Sequence, residues 1–347
     1  MIEVLTEYKQ NILRTALEQT QNTSELPGYP WEQVADEDVT SMSYLIKGVI
    51  NKGDIVFMFG DSGTMKSFVA TDMAFHVATG QKWQNHRVKQ TGVLVVIAEG
   101  QAGYKKRVKA VIKKYAAKDV PIWILPEPVA LDKDADVLNV WIKMAEDALG
   151  CEIGLILMDT FSLMLGDGDE SNNSDVSAAL NGLRKAAVDR AVLLIHHTGH
   201  GDKGRERGAY QIRGNADVRI LVQRDEDGKG RVITISNLKN KDDCLFEDIN
   251  LGFEVIELGT DADGDPVSSL VIVETSEEPV NARQGKANKP LDYVKASISA
   301  TGSNERDIIR THFMSIYPAK TEDAKRQAFS RGWNQWTNEI CKQETDL

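Results

Sequence analysis

The feature that most constrains this chain is an apolar run, residues 55–59, that leads directly into a glycine-rich turn and a lysine–serine pair. The turn, the pair and the next residue read Gly60-Asp61-Ser62-Gly63-Thr64-Met65-Lys66-Ser67-Phe68. Such a turn lets backbone N–H groups converge on phosphates, and the helix after it points its positive end at them. The order therefore predicts a buried strand and a phosphate-binding loop, with Lys66 on the β- and γ-phosphates and Ser67 on Mg²⁺.

One position of this loop departs from the common pattern G-x-x-x-x-G-K-[ST]. Met65 precedes the lysine where the pattern has glycine, so a side chain stands where most such loops have none. Gly63, two residues earlier, still supplies backbone freedom. Two alternatives stay open: a loop that supports hydrolysis, and a loop that binds nucleotide without hydrolysing it.

Composition and charge narrow the class of protein. The 347 residues allow one α/β domain of about 250 residues with additions at its ends. No apolar run approaches the roughly 20 residues that span a bilayer, and residues 1–10 lack a signal-peptide pattern. The three cysteines form neither a zinc spacing nor a disulfide framework, which fits a reducing cytoplasm. Together with the lack of a spanning run, this predicts no membrane partner.

The net charge of −11 argues against a surface that binds nucleic acid all over. Residues 281–336, however, hold ten Lys and Arg against five Asp and Glu. Any contact with nucleic acid is therefore expected in a loop, a channel or this basic tail.

Continuous apolar runs alternate with helical patterns through the middle of the chain, which predicts a mainly parallel sheet covered on both faces. The predicted strands are 55–60, 93–98, 121–125, 154–159 and 191–197, and the predicted helices are 67–79, 103–117, 134–149 and 176–190. Later apolar runs at 218–223, 231–236 and 270–274 lie near Asp-Gly turns and predict antiparallel hairpins at the sheet edge.

Two of the predicted strands end in a carboxylate. Glu99 follows one of them and Asp159 ends the other, beside the predicted phosphate-binding loop. Ligands of open α/β sheets bind at the carboxyl ends of the strands. We therefore predict that Asp159 holds the Mg²⁺ shell and that Glu99 orients and deprotonates an attacking water.

A third strand ends in a histidine pair, His196 and His197. The pair is predicted to sense the γ-phosphate by hydrogen bonding and to report its state to the next loop, residues 201–211. That loop is basic and glycine-rich, which suits either contact with DNA or an arginine that reaches an adjacent active site.

The ends of the chain predict separate modules. Residues 1–30 read as an amphipathic helix and a linker, residues 31–276 as the α/β domain, and residues 277–292 as a polar linker. Residues 293–347 read as a small helical module, with a winged-helix form as an alternative. Its aromatic residues are expected to form its core rather than a surface that stacks bases.

In this order, the motifs resemble the RecA-type ATPases, and within them the plasmid RepA-like and phage hexameric replicative helicases. The matching stretches lie roughly within residues 30–260 and are 60–68, 98–100, 158–160, 168–172, 196–199, 207–209, 213–217 and 239–242. The resemblance implies a RecA-like P-loop core and a ring, expected to be a hexamer, with ATP and Mg²⁺ bound between subunits.

The resemblance also implies roles for residues outside the phosphate-binding loop. Arg207 corresponds to the arginine finger that acts on the neighbour's nucleotide, with Arg213 as the second candidate. Lys239 and Lys241 resemble paired basic residues near the neighbour's γ-phosphate.

The function expected from the resemblance is ATP-driven movement on single-stranded DNA during phage or plasmid replication, with a primase or a loader as further candidate partners. Three alternatives are a recombination or strand-annealing ATPase of the same fold, a regulatory ATPase ring without DNA, and a module that binds nucleotide without hydrolysis.

Overall fold

The structure is a computed structural model, and it describes residues 44–131, 135–199, 202–206, 210–224, 230–277, 290–317 and 321–345. The predicted N-terminal helix and linker lie outside these ranges, as does Arg207. No helix in the described ranges is long and apolar enough to cross a membrane.

The centre of the molecule is a ten-stranded sheet. A small antiparallel pair, β1 (Tyr44–Ile46) and β2 (Ile50–Asn51), precedes it. The parallel strands are β3 (Ile55–Gly60), β4 (Gly92–Ile97), β5 (Ile122–Leu125), β6 (Ile153–Asp159), β7 (Ala191–Gly199) and β9 (Val218–Arg224). The antiparallel strands are β8 (Asp202–Glu206), β10 (Ile233–Asn240), β11 (Ile249–Thr260) and β12 (Pro266–Glu274).

Helices connect the parallel strands. They are α1 (Lys66–Thr79), α2 (Gln101–Tyr115), α3 (Ala135–Leu149), a 3-10 helix (Phe161–Leu165), α4 (Asn173–Ala186) and the short α5 (Tyr210–Asn215). The four predicted helices are present with their ends shifted by a few residues. The α/β class predicted from the alternating pattern is confirmed.

The order of strands across the sheet is β12-β11-β10-β9-β3-β7-β6-β4-β5, with β8 paired to β7. Strand β3 therefore lies between β7 and β9, and one strand separates it from β6. Together with the antiparallel strands that extend one edge, this is the arrangement of the RecA-like core, as the sequence predicted.

Both faces of the sheet are covered by apolar side chains, which is why its strands read as continuous apolar runs. Alternate residues of β3 belong to two different clusters: Val56 and Met58 pack with α1, whereas Phe57 packs with α3 and α4. All six residues of β3 are buried. The strand that carries the phosphate-binding loop is thus fixed from both sides.

Strands β10, β11 and β12 are antiparallel, as predicted, and this region is larger than predicted. The prediction was wrong for residues 218–223, because β9 lies inside the sheet and pairs parallel with β3. Strand β11 is 12 residues long and pairs with β12. The sequence analysis missed β11 because its residues beyond Phe253 alternate between half-buried and exposed, so no apolar run marks them.

The C-terminal helices form a compact unit of their own. They are α6 (Pro290–Thr301), α7 (Arg306–Ile316) and α8 (Glu322–Thr345), and their buried core contains Val294, Ile309, Phe313, Ala328 and Phe329. The predicted helical module is therefore confirmed. Its described residues include no strand that a winged helix would need.

Candidate active site

The loop between β3 and α1 begins at a position where only glycine fits, because neighbouring backbone atoms exclude a side chain. A Cβ atom on Gly60 would lie 2.2 Å from the carbonyl oxygen of Val222. Further along, the Thr64 hydroxyl donates to the carbonyl of Asp61 at 2.9 Å, and the Thr198 hydroxyl donates to the Asp61 carboxylate. The loop is therefore folded on its own backbone and anchored to β7.

Met65 adopts the left-handed conformation that the missing glycine would be expected to supply. Its φ is 70° and its ψ is 22°, and it caps the N-terminus of α1. A non-glycine residue in this region costs roughly 1–2 kcal/mol. The Met65 side chain, only 8% exposed, packs in the core beside α1, which offsets that cost.

Lys66 places a buried positive charge inside the loop. Its Nζ donates to the carbonyl oxygens of Gly60 at 2.9 Å and Asp61 at 2.8 Å. Burial lowers the pKa of Lys66 to about 8, although the carboxylates of Asp159, Asp61 and Glu99 favour the charged form. The ammonium group of Lys66 is thus largely removed from water. An anion bound in the loop would compensate for this lost hydration.

Asp159 lies at the end of β6 and faces Lys66 and Ser67. Burial raises the pKa of Asp159, while hydrogen bonding from Ser67 and the positive charge of Arg107 partly offset the rise. The guanidinium of Arg107 is 3.9 Å from the Asp159 carboxylate. The peptide bond from Asp159 to Thr160 is cis.

These groups surround one cavity of about 210 Å³. It is lined by Ser62, Gly63, Met65, Lys66, Ser67, Phe68, Glu99, Arg107, Asp159, Thr160, Ile195 and His197. The two cations are suited to phosphate oxygens, and a serine hydroxyl beside a carboxylate is the donor set that hard divalent cations prefer. The residues present therefore fit a nucleoside triphosphate with Mg²⁺.

The two histidines of β7 point to opposite faces of the sheet, as neighbours in a strand must. His197 lines the cavity, and burial, helped by the charge of Lys66, lowers its pKa, so its imidazole is neutral at pH 7. His196 is fully buried and packs edge-on against Phe57 and Phe161. The structure thus brings only His197 to the cavity; a role for either histidine in sensing phosphate stays a prediction.

The other predicted cations lie together at the opposite end of the parallel strands from the cavity, where β3 and β9 begin. The Nζ of Lys239 donates to the carbonyls of Arg213, Gly214 and Ala216 at the end of α5. The Nζ of Lys241 is 3.7 Å from the carboxylate of Asp217.

That end is distant from the phosphate-binding loop of the same chain. The six residues of β3 separate the two ends by about 17 Å. Arg213, Lys239 and Lys241 therefore do not line the cavity, and their predicted contact with nucleotide would require a second copy of the chain.

Sequence reasoning missed Arg107. Its guanidinium lies 4.7 Å from the centre of the Phe68 ring and lines the cavity between that ring and Asp159. A signal was present: Tyr104, Arg107 and Val111 share one face of the helix that begins just after Glu99. An arginine on the inward face of such a helix indicates a buried anionic partner.

The loop after the 3-10 helix, residues 166–175, is acidic, and such a loop can either line a metal site or cap the next helix. Asn172 is the N-cap of α4 and accepts from the backbone N–H of Ser174. Asp175 accepts from the backbone N–H of Asp169 at 2.9 Å. The described contacts therefore show the second of the two alternatives.

A strand that runs into a P-loop, separated by one other strand from a strand that ends in a carboxylate, defines a P-loop nucleoside triphosphatase core of the RecA-like class. A family model for the AAA domain, AAA_25, matches residues 20–203, more than half of the chain. The chain belongs to this family of ATPase domains.

Among solved structures, the KaiC-like protein PH0186 from Pyrococcus horikoshii OT3 is similar, with 15% sequence identity and a TM-score of 0.42. The match covers 66% of this chain and 93% of that one. A search of curated proteins found no match.

Proposed function

We propose that this protein is an Mg²⁺-dependent ATP hydrolase that assembles into a ring and moves on single-stranded DNA as a replicative helicase of a phage or plasmid. The family supports the ATPase part. The helicase part, the ring and its size, and the DNA partner rest on the motif order from residue 60 to residue 242.

The observation that carries the proposal is the convergence of five polar residues on one cavity. Lys66 and Arg107 supply positive charge, and Glu99, Asp159 and His197 supply bases and hydrogen-bonding groups. Their sequence positions run from residue 66 to residue 197, and only the carboxyl ends of the parallel strands bring them together.

Each residue has a task in hydrolysis that follows from its place. Lys66 binds phosphate oxygens, and Ser67 and Asp159 would hold Mg²⁺. Glu99, which is exposed at the mouth of the cavity, can take the proton of an attacking water. His197, uncharged at pH 7, can donate one hydrogen bond without adding charge. Bound Mg²⁺ would neutralise negative charge that develops on the transferring phosphoryl group.

The cations at the opposite end of the strands supply the reason for assembly. Arg213, Lys239 and Lys241 cannot reach the cavity of their own chain, but a copy stacked head to tail would bring them to its neighbour. Hydrolysis that needs two chains would change an interface at every turnover, and that change is how such a ring would move DNA.

The test is the steady-state rate of ATP hydrolysis with and without unstructured single-stranded DNA. The wild-type protein should hydrolyse ATP, and DNA should raise the rate. Glu99→Gln should lower the rate by a factor of about 100 or more in both conditions, because the water loses its base.

Glu127→Gln is the matched control, because Glu127 is an exposed carboxylate after the neighbouring strand β5 and does not line the cavity. It should keep the wild-type rate. A rate that DNA does not change would contradict the DNA motor and favour a regulatory ring. ATP binding without hydrolysis would leave only a nucleotide-binding module. If DNA does stimulate hydrolysis, unwinding of a forked duplex separates a helicase from a recombination protein.

A further inference from the structure

The most strongly charged element outside the cavity is helix α2, which runs from Gln101 to Tyr115. It carries five lysines and one arginine and no acidic residue, in a chain whose net charge is −11. The cations are Lys105, Lys106, Arg107, Lys109, Lys113 and Lys114.

Half of these cations have partners within the described structure. Arg107 faces Asp159, the Nζ of Lys114 contacts the Glu254 carboxylate, and Lys113 donates to the carbonyl of Glu257 at 2.7 Å. The other three, Lys105, Lys106 and Lys109, are exposed. None of them forms a hydrogen bond or an ion pair with any residue that the structure describes, and we call these three the lysine face.

The lysine face costs the helix stability. Lys105 and Lys109 are four residues apart, as are Lys109 and Lys113, so each pair brings like charges together on adjacent turns. Such pairs destabilise a helix by roughly 0.2–0.5 kcal/mol each, and no acidic residue on α2 compensates them. The buried residues Tyr104 and Ala110 hold the opposite side of the helix in place. A polyanion bound along the face would remove the repulsion.

We propose that the lysine face contacts the phosphate backbone of single-stranded nucleic acid. The proposal rests on the proposed function for the identity of the polyanion and adds the place where it binds. Lysines are depleted at the centre of protein–protein interfaces, and Ile112, the single large apolar side chain exposed on this helix, is too little for an apolar centre. Compact ammonium groups without neighbouring aromatic rings fit phosphates and would not select a sequence.

The position of the helix links this contact to the cavity. Helix α2 begins two residues after Glu99 and carries Arg107 on its other side. Nucleic acid on the lysine face would therefore lie on the helix that carries Arg107 and that begins two residues after Glu99, both of which line the cavity. Binding there can alter hydrolysis without any contact with ATP.

The experiment compares the full chain with Lys105→Gln/Lys106→Gln/Lys109→Gln by anisotropy of a fluorescein-labelled oligothymidylate over a range of salt concentrations. Each lost phosphate contact reduces the magnitude of the slope of log association constant against log salt concentration by about 0.7. The slope of the triple variant should therefore be smaller in magnitude by about 2. Its affinity at 0.1 M salt should fall at least about 10-fold. Lys109→Gln alone should lose about 0.7 from the slope.

Lys47→Gln/Lys82→Gln/Lys185→Gln is the matched control, because these exposed lysines lie on other elements and the change in net charge is the same. It should keep the wild-type slope. The hydrolysis rate without DNA should be equal in all three proteins, whereas stimulation by DNA should be lost only in the lysine-face variant.

Three results would overturn the proposal. An unchanged slope in the lysine-face variant shows that DNA binds elsewhere and leaves the proposed function intact. If the wild-type protein does not bind oligothymidylate, both the lysine-face proposal and the DNA-dependent part of the proposed function are wrong. Hydrolysis that Glu99→Gln abolishes would still support the assignment as an ATPase. A salt-dependent change in self-association on sedimentation, with an unchanged DNA slope, would assign the lysine face to a second copy of the chain.

Discussion

At the scale of single residues, Met65 shows how the loop tolerates a departure from its common pattern. The backbone needs a left-handed residue before Lys66, and methionine supplies it at a modest cost that its burial offsets. The identity of the side chain therefore matters less than its ability to adopt this conformation. Branching at Cβ is what the position should exclude.

Replacement of Met65 tests this account. Met65→Gly should bind nucleotide and keep the hydrolysis rate within a few-fold, because relief of strain compensates part of the lost burial. Met65→Ile should lower the free energy of unfolding by about 2 kcal/mol, since a β-branched residue is strained at positive φ. Denaturant titration and calorimetric titration with nucleotide measure both effects. Equal stability of the two variants would contradict the conformational explanation.

Arg107 is the second residue whose role can be isolated. Arg107→Gln should lower the hydrolysis rate at least about 10-fold, because a charge-assisted contact with phosphate is lost. The guanidinium also lowers the pKa of Asp159, so its removal raises that pKa, and the acid limb of the pH–rate profile should move to higher pH. Arg87→Gln, at an exposed site outside the cavity, is the control and should change neither the rate nor the profile. An unmoved acid limb would mean that Arg107 does not act on Asp159.

At the scale of elements, α1 carries a buried carboxyl one turn beyond the phosphate-binding loop. Asp72 is only 4% exposed, accepts from the indole N–H of Trp83 at 2.9 Å, and lies 3.7 Å from His76. Burial raises the pKa of Asp72 to about 7, although the bond from Trp83 opposes the rise. Helix α1 is therefore tied to the segment after it through a group that titrates near neutral pH.

This carboxyl gives a prediction about stability and pH. Because the folded pKa of Asp72 is raised, the folded state holds its proton, and stability falls as pH rises from about 4 to about 7. Asp72→Asn keeps an acceptor for Trp83 but does not ionise. Its free energy of unfolding relative to wild type should therefore increase by about 2 kcal/mol between pH 5 and pH 8. Asp147→Asn, on an exposed face, should show no such trend, and a flat difference for Asp72→Asn would contradict the buried-charge account.

The sequence was most informative where one physical cause dominated. Buried parallel strands such as β3 read directly as apolar runs, and the glycine-rich loop marked the cavity. Strand β11 escaped because half of it is solvated, and Arg107 escaped because its partner, Asp159, is more than 50 residues away. The sequence alone could not show which of His196 and His197 lines the cavity, because that depends on the face of the sheet to which each side chain points.

At the scale of the whole molecule, the proposed function predicts that active sites are shared. Arg207→Ala, Arg213→Ala and Glu99→Gln should each be inactive alone. When either arginine variant is mixed with Glu99→Gln, about a quarter of the interfaces of a randomly assembled ring combine an intact Glu99 with an intact arginine. Hydrolysis should return to a measurable fraction of the wild-type rate. Failure to recover activity at any mixing ratio, for both arginines, would remove the support for catalysis across subunits.

The distance between the two ends of β3 also determines how many complete active sites an assembly can have. Under the proposed function each copy offers a cavity at one end and the cations that complete a neighbour's cavity at the other. A head-to-tail row of copies then always ends in one cavity without its completing cations and one set of cations without a cavity. Only closure into a ring completes every site. The rate of ATP hydrolysis per chain would therefore show whether the assembly is open or closed.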